Sequence, residues 1–494
     1  VQVCPDRDCR SQLRSLFPEA TFVGCRDIEV RACVADSRRV EQGDLFVAIA
    51  GDSADGHDFA AEAIHRGCSA ILSQRPLPEA TVPVCIVADS RAAFGRLCHH
   101  LAGNPARHLK VIGVTGTNGK TTTSVLIARM FTHAGYRVGL LGTLGYFDGD
   151  RCDESTLTTP PADRLADYLA RMVRNECNYA VMEVSSHALA QARLAGMELD
   201  TVCVTNVRRD HLDYHRTIDD YRLTKSKAFD YLSPEGFAVL NADDPTSAGF
   251  LSRVEGPVLS IGVHAAAEIT GTLIERYLSE QTFLLTAGSD TIPVRTRMIG
   301  MHHVYNCLEA AAVGLTYGLD LTTVVRSLEA VDYVPGRLQR IECGQPFGVF
   351  VDYAHTPDAL TGCLRALRSV VSGRLICVFG AGGDRDRGKR PLMGRAVEAD
   401  ADLAILTSDN PRSEDPQAIL GDVLDGFAHP ADALVIADRR EAIHAALAAA
   451  RTGDCVLIAG KGHERCQLIG DESLPFDDYE IAAGWLYENL PTGV

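Results

Sequence analysis

The stretch Val111-Ile-Gly-Val-Thr-Gly-Thr-Asn-Gly-Lys-Thr-Thr-Thr123 decides how this chain is read. An apolar strand runs into a Gly-rich turn closed by Lys-Thr, and a helical pattern follows at once. Such a turn points backbone N–H groups at a phosphate chain, and the positive end of the following helix adds to the attraction. Gly116, Thr117, Asn118, Gly119, Lys120, Thr121 and Thr122 are therefore the expected contacts of a nucleotide, with Lys120 on the terminal phosphates and the Thr121 hydroxyl on Mg²⁺. The spacing is not G-x-x-x-x-G-K-[ST], because Val114 stands where the first glycine would be; what remains is the compact form T-G-T-N-G-K-T. The alternative is a Gly-rich turn with no ligand.

Around this loop, 494 residues with 46% hydrophobic content can build about three cores on the usual ~150-residue domain. Lys plus Arg number 48 against 65 Asp plus Glu, a formal charge of −17, which argues against nucleic acid or an anionic membrane as the main partner. No apolar run is long enough to span a bilayer, and residues 1–14 lack the basic-then-apolar order of a signal peptide, so a cytoplasmic protein without membrane insertion is expected. The 16 cysteines are scattered with no C-x-x-C pair, and several sit in apolar strands such as Val202-Cys203-Val204. They read as reduced core residues rather than a metal or disulfide framework.

The chain divides into three blocks. Residues 1–106 hold short strands and helices, including Gly43–Ile49 and Phe59–Arg66, and close in Gly103-Asn-Pro-Ala106. Residues 107–336 alternate strand and helix: the loop and its helix, strand Arg137–Leu141, helix Ala162–Asn175, and strands Ala180–Val184 and Thr201–Thr205. That alternation predicts a parallel sheet covered by helices. Beyond Val334-Pro-Gly-Arg337, residues 337–494 repeat the pattern with strands Gly348–Val351, Leu375–Phe379, Leu403–Leu406 and Cys455–Ala459 and helix Asp358–Val371. The fold class is α/β in three domains: a small α/β first domain, a central parallel-sheet nucleotide-binding domain, and a Rossmann-like third domain.

Two further positions in the central block carry chemistry. Strand Ala180-Val-Met-Glu183 ends on an acid, where nucleoside-triphosphate-binding sheets place a carboxylate toward Mg²⁺. A cap on the Ser185-Ser186 turn is the plainer role for Glu183. After the next strand comes Thr205-Asn-Val-Arg-Arg-Asp-His211-Leu-Asp-Tyr-His215, a dense polar run at a strand's carboxyl end, where α/β ligand sites form.

T-G-T-N-G-K-T-T at 115–122, M-E-V-S-S-H at 182–187, R-D-H-L-D-Y-H at 209–215, D-Y-A-H-T-P at 352–357 and G-G-D-R-D-R-G-K-R-P at 382–391 together resemble the Mur ligase family, in order and over nearly the whole chain. The family's members are ATP-dependent amino-acid-adding enzymes of cytoplasmic peptidoglycan precursor synthesis. The resemblance is strongest to the branch that adds the third residue to UDP-MurNAc-L-Ala-D-Glu through an acyl phosphate. It implies a UDP-substrate-binding domain at 1–106, an ATP-binding domain at 107–336 and an amino-acid-binding domain at 337–494, working as a monomer. It makes Lys120, Glu183, His211 and Lys225 the catalytic candidates, with Thr121, Glu183, His211 and Lys225 around Mg²⁺. Lys225 matches the family's carbamylated lysine, and neighbouring Lys227 is the other candidate.

The same resemblance assigns Ser37, Asp52, Ser53 and Ala54 to the uridine end, where ordinary turn chemistry is the alternative. It assigns Thr158, Thr159, Ser185, Gln191 and Arg193 to the muramoyl dipeptide. Asp409, Asn410, Pro411 and Arg412 match the D-N-P-R of the branch that takes meso-diaminopimelate, whose extra carboxylate suits a guanidinium fork. Arg385, Gly460 and Glu464 would complete that site, with Glu464 facing an ammonium group. Asn306, Arg337 and Asp352 fall to ATP. The family pattern G-x-F-N-x-x-N reads here Gly300-Met-His-His-Val-Tyr-Asn306, so His302 and His303 replace Phe and Asn and leave nucleotide preference open. Two rivals are a folylpolyglutamate or cyanophycin synthetase, disfavoured by the D-N-P-R tetrad, and a nucleotide-binding regulatory module without catalysis.

Overall fold

Val111, Ile112 and Val114 are fully buried because the strand that carries them, Lys110–Thr115, lies in the middle of an eleven-stranded sheet. The computed structural model describes residues 11–51 and 54–489. From Val138–Gly142 through Tyr179–Glu183, Lys110–Thr115, Leu199–Val204, Leu232–Asn241 and Val258–Gly262 to Ile269–Arg276, neighbouring strands pair in parallel. The margins are antiparallel: Gln281–Ala287 and Asp290–Thr296 extend one edge, Gly145–Phe147 and Cys152–Asp153 the other. The expected parallel sheet is thus its centre. The margins are added by tight hairpin turns, one of them at Gly288 with φ 60°, rather than by helical crossovers.

Helices Lys120–His133 and Met301–Thr316 pack on one face, where Met130 and Phe131 meet Val304 and Leu308 in a common core. The opposite face is covered by Ala162–Arg174 and the turns after Glu183. Strand ends at Thr115, Glu183 and Val204 therefore open onto one crevice, the location that parallel sheets reserve for ligands.

The first block holds a five-stranded sheet in the order Thr21–Val23, Val84–Ile86, Ala70–Ser73, Leu45–Val47, Cys33–Val34. Gly103-Asn-Pro-Ala106 is a turn rather than a flexible tether: Gly103 and Asn104 take φ 81° and 51°, and Pro105–His108 forms a 3₁₀ turn. Ala162 and Ala166 from the central block complete the first block's core. The seam is close, since a Cβ on Gly95 would come within 2.6 Å of the Ala195 carbonyl and one on Gly196 within 2.6 Å of Arg96 Cα.

The third block has a six-stranded sheet in the order Gln339–Arg340, Gly348–Asp352, Cys455–Ala459, Leu375–Phe379, Leu403–Leu406, Leu434–Val435, parallel apart from the first edge strand. Behind it, Arg439 and Asp478 form a fully buried ion pair at 2.7 Å, and Arg439 also donates to the Ala459 carbonyl. Arg439→Leu leaves the Asp478 charge buried alone and is expected to cost about 3 kcal/mol of stability. Urea unfolding of the variant checks this, and an unchanged midpoint refutes it.

The described cysteines are all free thiols, most of them buried. No helix among the described residues is long and apolar enough to cross a membrane.

Candidate functional site

The turn after Lys110–Thr115 is possible only with glycine at two places. Gly116 takes φ 147°, and a Cβ there would overlap the Thr205 hydroxyl; Gly119 takes φ 89°, and its Cβ would lie 2.6 Å from Asn306 Oδ1. Thr117 N donates to the Asn206 carbonyl and Asn118 N to Asn206 Oδ1, so the strand end at 205–206 shapes the loop. Lys120 Nζ donates to the carbonyls of Gly116 and Thr117, both at 2.9 Å. Burial lowers its pKa, with Glu183 and Asp210 opposing the shift.

The Thr121 hydroxyl donates to Glu183 Oε2 at 3.0 Å and accepts from Arg337 Nη2 at 2.9 Å. Thr143 N donates to Glu183 Oε1 at 2.7 Å, and the Thr143 hydroxyl lies 3.2 Å from Oε2. Glu183 thus faces the loop hydroxyl rather than capping Ser185-Ser186; Ser185 caps that helix itself by accepting from Ala188 N. Arg337 reaches Thr121 from the junction with the third block, its guanidinium stacked 4.6 Å over the Tyr353 ring.

Two cavities meet at this loop. The first, of about 400 Å³, is lined by Thr117–Thr122, Glu183, His302, His303, Asn306, Arg337 and Asp352 among others. Asp352 Oδ2 accepts from Leu338 N and Oδ1 from Ala354 N, both at 2.6 Å, which ties the acid to the domain junction. The second, of about 360 Å³, gathers Thr158, Ser185, Arg193, His211 and Lys225 from the central block with Arg385, Asp409, Asn410, Arg412, Gly460 and Glu464 from the third. Lys120, Thr158, Asp210, His211, Tyr353 and His355 line both.

The second cavity is rich in cations that lack carboxylate partners. Among the described residues, no carboxylate lies within ion-pairing distance of Arg193, Arg385, Arg412, Lys225 or Lys389. Lys225 is 1% exposed, and its Nζ lies 3.5 Å from Thr115 Oγ1 and 4.9 Å over the Tyr221 ring. Burial, and then the charge of Lys120, hold its pKa well below the ordinary lysine value. Lys227 is exposed. Arg193 donates to the Thr159 carbonyl and to Gln191 Oε1, while Thr159 Oγ1 donates to the Glu183 carbonyl, so Thr159 and Gln191 act as its bracket behind the cavity wall.

His211 sits in the left-handed region at φ 54°, with its ring against His187 at 4.9 Å between centroids and Nε2 3.5 Å from Asp210 Oδ2. Burial keeps the imidazole neutral. Ala192, Leu338, Asp384 and Arg412 are further non-glycine residues at positive φ around the same cavities, a concentration of backbone strain typical of ligand sites. Arg412 Nη1 donates to the Gly383 carbonyl at 2.7 Å. Glu464 Oε2 accepts from the protein's own ammonium at Lys461 Nζ, 3.0 Å away, and from Asn410 Nδ2.

Ser37 and Ala54 line neither cavity; Ser37 donates its hydroxyl to Glu62 at 2.8 Å. Asp52 and Ser53 lie outside the described residues. Pro411 is buried behind Asn410 and Arg412, and its carbonyl would overlap any Cβ at Gly383. Sequence reasoning missed Thr143, Asp210, Tyr353, His355, Lys389 and Lys461. The position of Asp210, Tyr353, His355 and Lys389 inside quoted motifs was the available signal.

Among the described residues no cluster of three or more His, Cys, Asp or Glu side chains is arranged to hold a metal. Thr121 and Glu183 nevertheless offer two hard oxygen donors beside the phosphate loop, which suits Mg²⁺, an ion that takes its remaining ligands from phosphate and water.

Comparison with known proteins bears on all three blocks. Residues 29–101 match the description "Mur ligase family, catalytic domain", residues 114–314 "Mur ligase middle domain" and residues 336–462 "Mur ligase, glutamate ligase domain". The UDP-N-acetylmuramoyl-L-alanyl-D-glutamate–2,6-diaminopimelate ligase of Geobacillus thermodenitrificans is 43% identical over 461 residues, 92% of this chain and 94% of that protein. A solved structure of a ligase of that name superposes with a TM-score of 0.69 at 32% identity, covering 97% of this chain and 99% of the other. MurF from Acinetobacter baumannii shares the fold, with a TM-score of 0.63 at 21% identity over 93% of this chain and 96% of its own.

Proposed function

The chain belongs to the Mur ligase family, and on that premise we propose that it joins meso-diaminopimelate to the D-glutamate carboxylate of UDP-MurNAc-L-Ala-D-Glu, converting ATP to ADP and phosphate. The observation that carries the reading is the junction of the two cavities at Lys120, with a nucleotide-type loop on one side and unpaired guanidinium groups on the other. The first cavity takes ATP, and the second takes the carboxylate to be activated and the incoming amine.

A carboxylate is a poor electrophile, so its oxygen first attacks the γ-phosphorus, releasing ADP and giving an acyl phosphate. The amine nitrogen of diaminopimelate then attacks the acyl carbon, loses a proton, and expels phosphate as the amide forms. Lys120 and the loop N–H groups hold the phosphoryl oxygens as charge moves across them, and Arg193, braced by Thr159 and Gln191, fixes the anionic acceptor. Bound Mg²⁺ supplies further neutralisation of the phosphoryl charge, and Thr121 and Glu183, with His211 toward a second ion, are the residues that would hold it.

Lys225 fits carbamylation. Its depressed pKa leaves a neutral amine, which forms an N–C bond with CO₂ and releases one proton, and the resulting anion sits among Lys120, His211 and Lys389. Arg412 and Arg385 serve the distal carboxylate of diaminopimelate. Asp352, Asn306 and Arg337 serve the nucleoside side, and Ser37, Asp52, Ser53 and Ala54 the uridine end.

Phosphate release with ATP and UDP-MurNAc-L-Ala-D-Glu, run with meso-diaminopimelate, L-lysine and L-ornithine in parallel, tests the whole reading. Release is expected with diaminopimelate at about a hundredfold or more over lysine. No release dependent on the UDP substrate refutes the ligase assignment, and a preference for lysine refutes the choice of amino acid.

A further inference from the structure

Helix Met301–Thr316 is apolar over most of its length, yet one i, i+3 ridge carries His303, Asn306 and Glu309. They are 1%, 4% and 1% exposed, and all three line the nucleotide-side cavity. The Thr123 hydroxyl, in the first turn of the phosphate-loop helix, donates to Glu309 Oε2 at 2.9 Å and lies 3.3 Å from Asn306 Oδ1. Glu309 Oε1 has no hydrogen-bond partner among the described residues.

A carboxyl buried this way, with a single hydroxyl donor, is poorly stable as an anion. Burial raises its pKa to about 8, the charge of Asp244 adds to the rise, and the Thr123 hydrogen bond opposes it. Of the titratable groups around it, His302 and His303 are kept neutral by burial, and Tyr305 and the buried Cys203 thiol are kept protonated. Across the cavity stand Lys120 and Arg337, and beside it Asp243 and Asp244.

We propose that Glu309 is a positioning residue for nucleotide binding: as a neutral acid it holds the first turn of the phosphate-loop helix through Thr123, and its ionisation sets a negative charge against bound phosphates. This rests on reading the cavity as the ATP site. The protonated form is the binding form, so affinity is full below the raised pKa and falls as pH rises through it.

Equilibrium binding of ATP to the full chain from about pH 6.5 to about pH 9.5 tests the proposal. Affinity of the wild type is expected to fall about tenfold across this range, and Glu309→Gln to give a flat profile. At the acid end, Glu309→Ala binds about tenfold more weakly, while Glu309→Gln restores most of the loss. A flat wild-type profile overturns the proposal, and so does an equal slope in Glu309→Gln, which assigns the slope to Lys120. A lower melting temperature in the variants with unchanged ATP profiles marks a packing role and overturns it as well. Absence of ATP binding at every pH overturns the cavity assignment itself, a result distinct from these.

Discussion

Under the proposed role, Lys225→Ala is expected to lower ligase turnover by about a thousandfold or more, because it removes a buried amine that carbamylation would turn into an anion among the cations of the second cavity. Short carboxylates such as formate or acetate, added at high concentration, should return part of the activity by entering the emptied space beside Tyr221. Two controls separate chemistry from folding. The thermal transition of Lys225→Ala should stay near that of the wild type, since the buried Lys225 amine has only a long contact to Thr115 and the Tyr221 ring to lose. Lys227→Ala, at an exposed position one turn edge away, should be fully active. A fully active Lys225→Ala enzyme refutes the role.

Arg412→Ala is expected to reduce kcat/KM for meso-diaminopimelate by about a thousandfold, the loss of two charge-assisted hydrogen bonds to one carboxylate. The surroundings of the guanidinium suit the proposed task. Its backbone is held at φ 52° by pairing with Leu468 and Gly470 of the neighbouring hairpin, and one nitrogen is anchored on Gly383. Burial and the nearby Arg385 both lower its pKa, a strain that an incoming carboxylate relieves. Activity with L-lysine, already low, should change far less, since lysine brings no distal carboxylate. If both amino acids lose the same factor, Arg412 shapes the loop rather than choosing the substrate. Arg412→Lys, which keeps the charge and loses the fork, should recover only a small part of the preference.

Legibility in the sequence followed the physics of each element. Leu375–Phe379, Leu403–Leu406 and Cys455–Ala459 were readable to the residue, because strands buried on both faces are continuous apolar runs. The antiparallel margin from Ile269 to Thr296 was not, because its strands mix exposed and buried positions with few turn markers. Gly116, Lys120 and Glu183 were readable as candidates because a strand end, a glycine turn and a charge coincide in a few residues. Thr143 was invisible: it acts through a backbone N–H and a hydroxyl toward Glu183, and neither leaves a pattern. Lys461 and Glu309 were hidden for the opposite reason, being charged-type residues inside apolar or turn segments, with Glu309 held by Thr123 and Lys461 in part by Asn410, both far along the chain. The Arg439–Asp478 pair joins positions 39 residues apart and carried no local mark.

The close seam at Gly95 and Gly196 has a consequence for chain length. Backbone meets backbone there with no side chain to give, and the first block borrows Ala162 and Ala166 for its interior, so the seam is tightly packed and would act as a caliper between the two blocks. One jaw would grip the uridine end and the other would present Lys120. An acceptor with one residue more or fewer shifts its terminal carboxylate by about 3.5 Å, and a misplacement of even ~1 Å costs on the order of a hundredfold in rate. On the proposed reading, the fold would count the residues of its substrate without touching each of them.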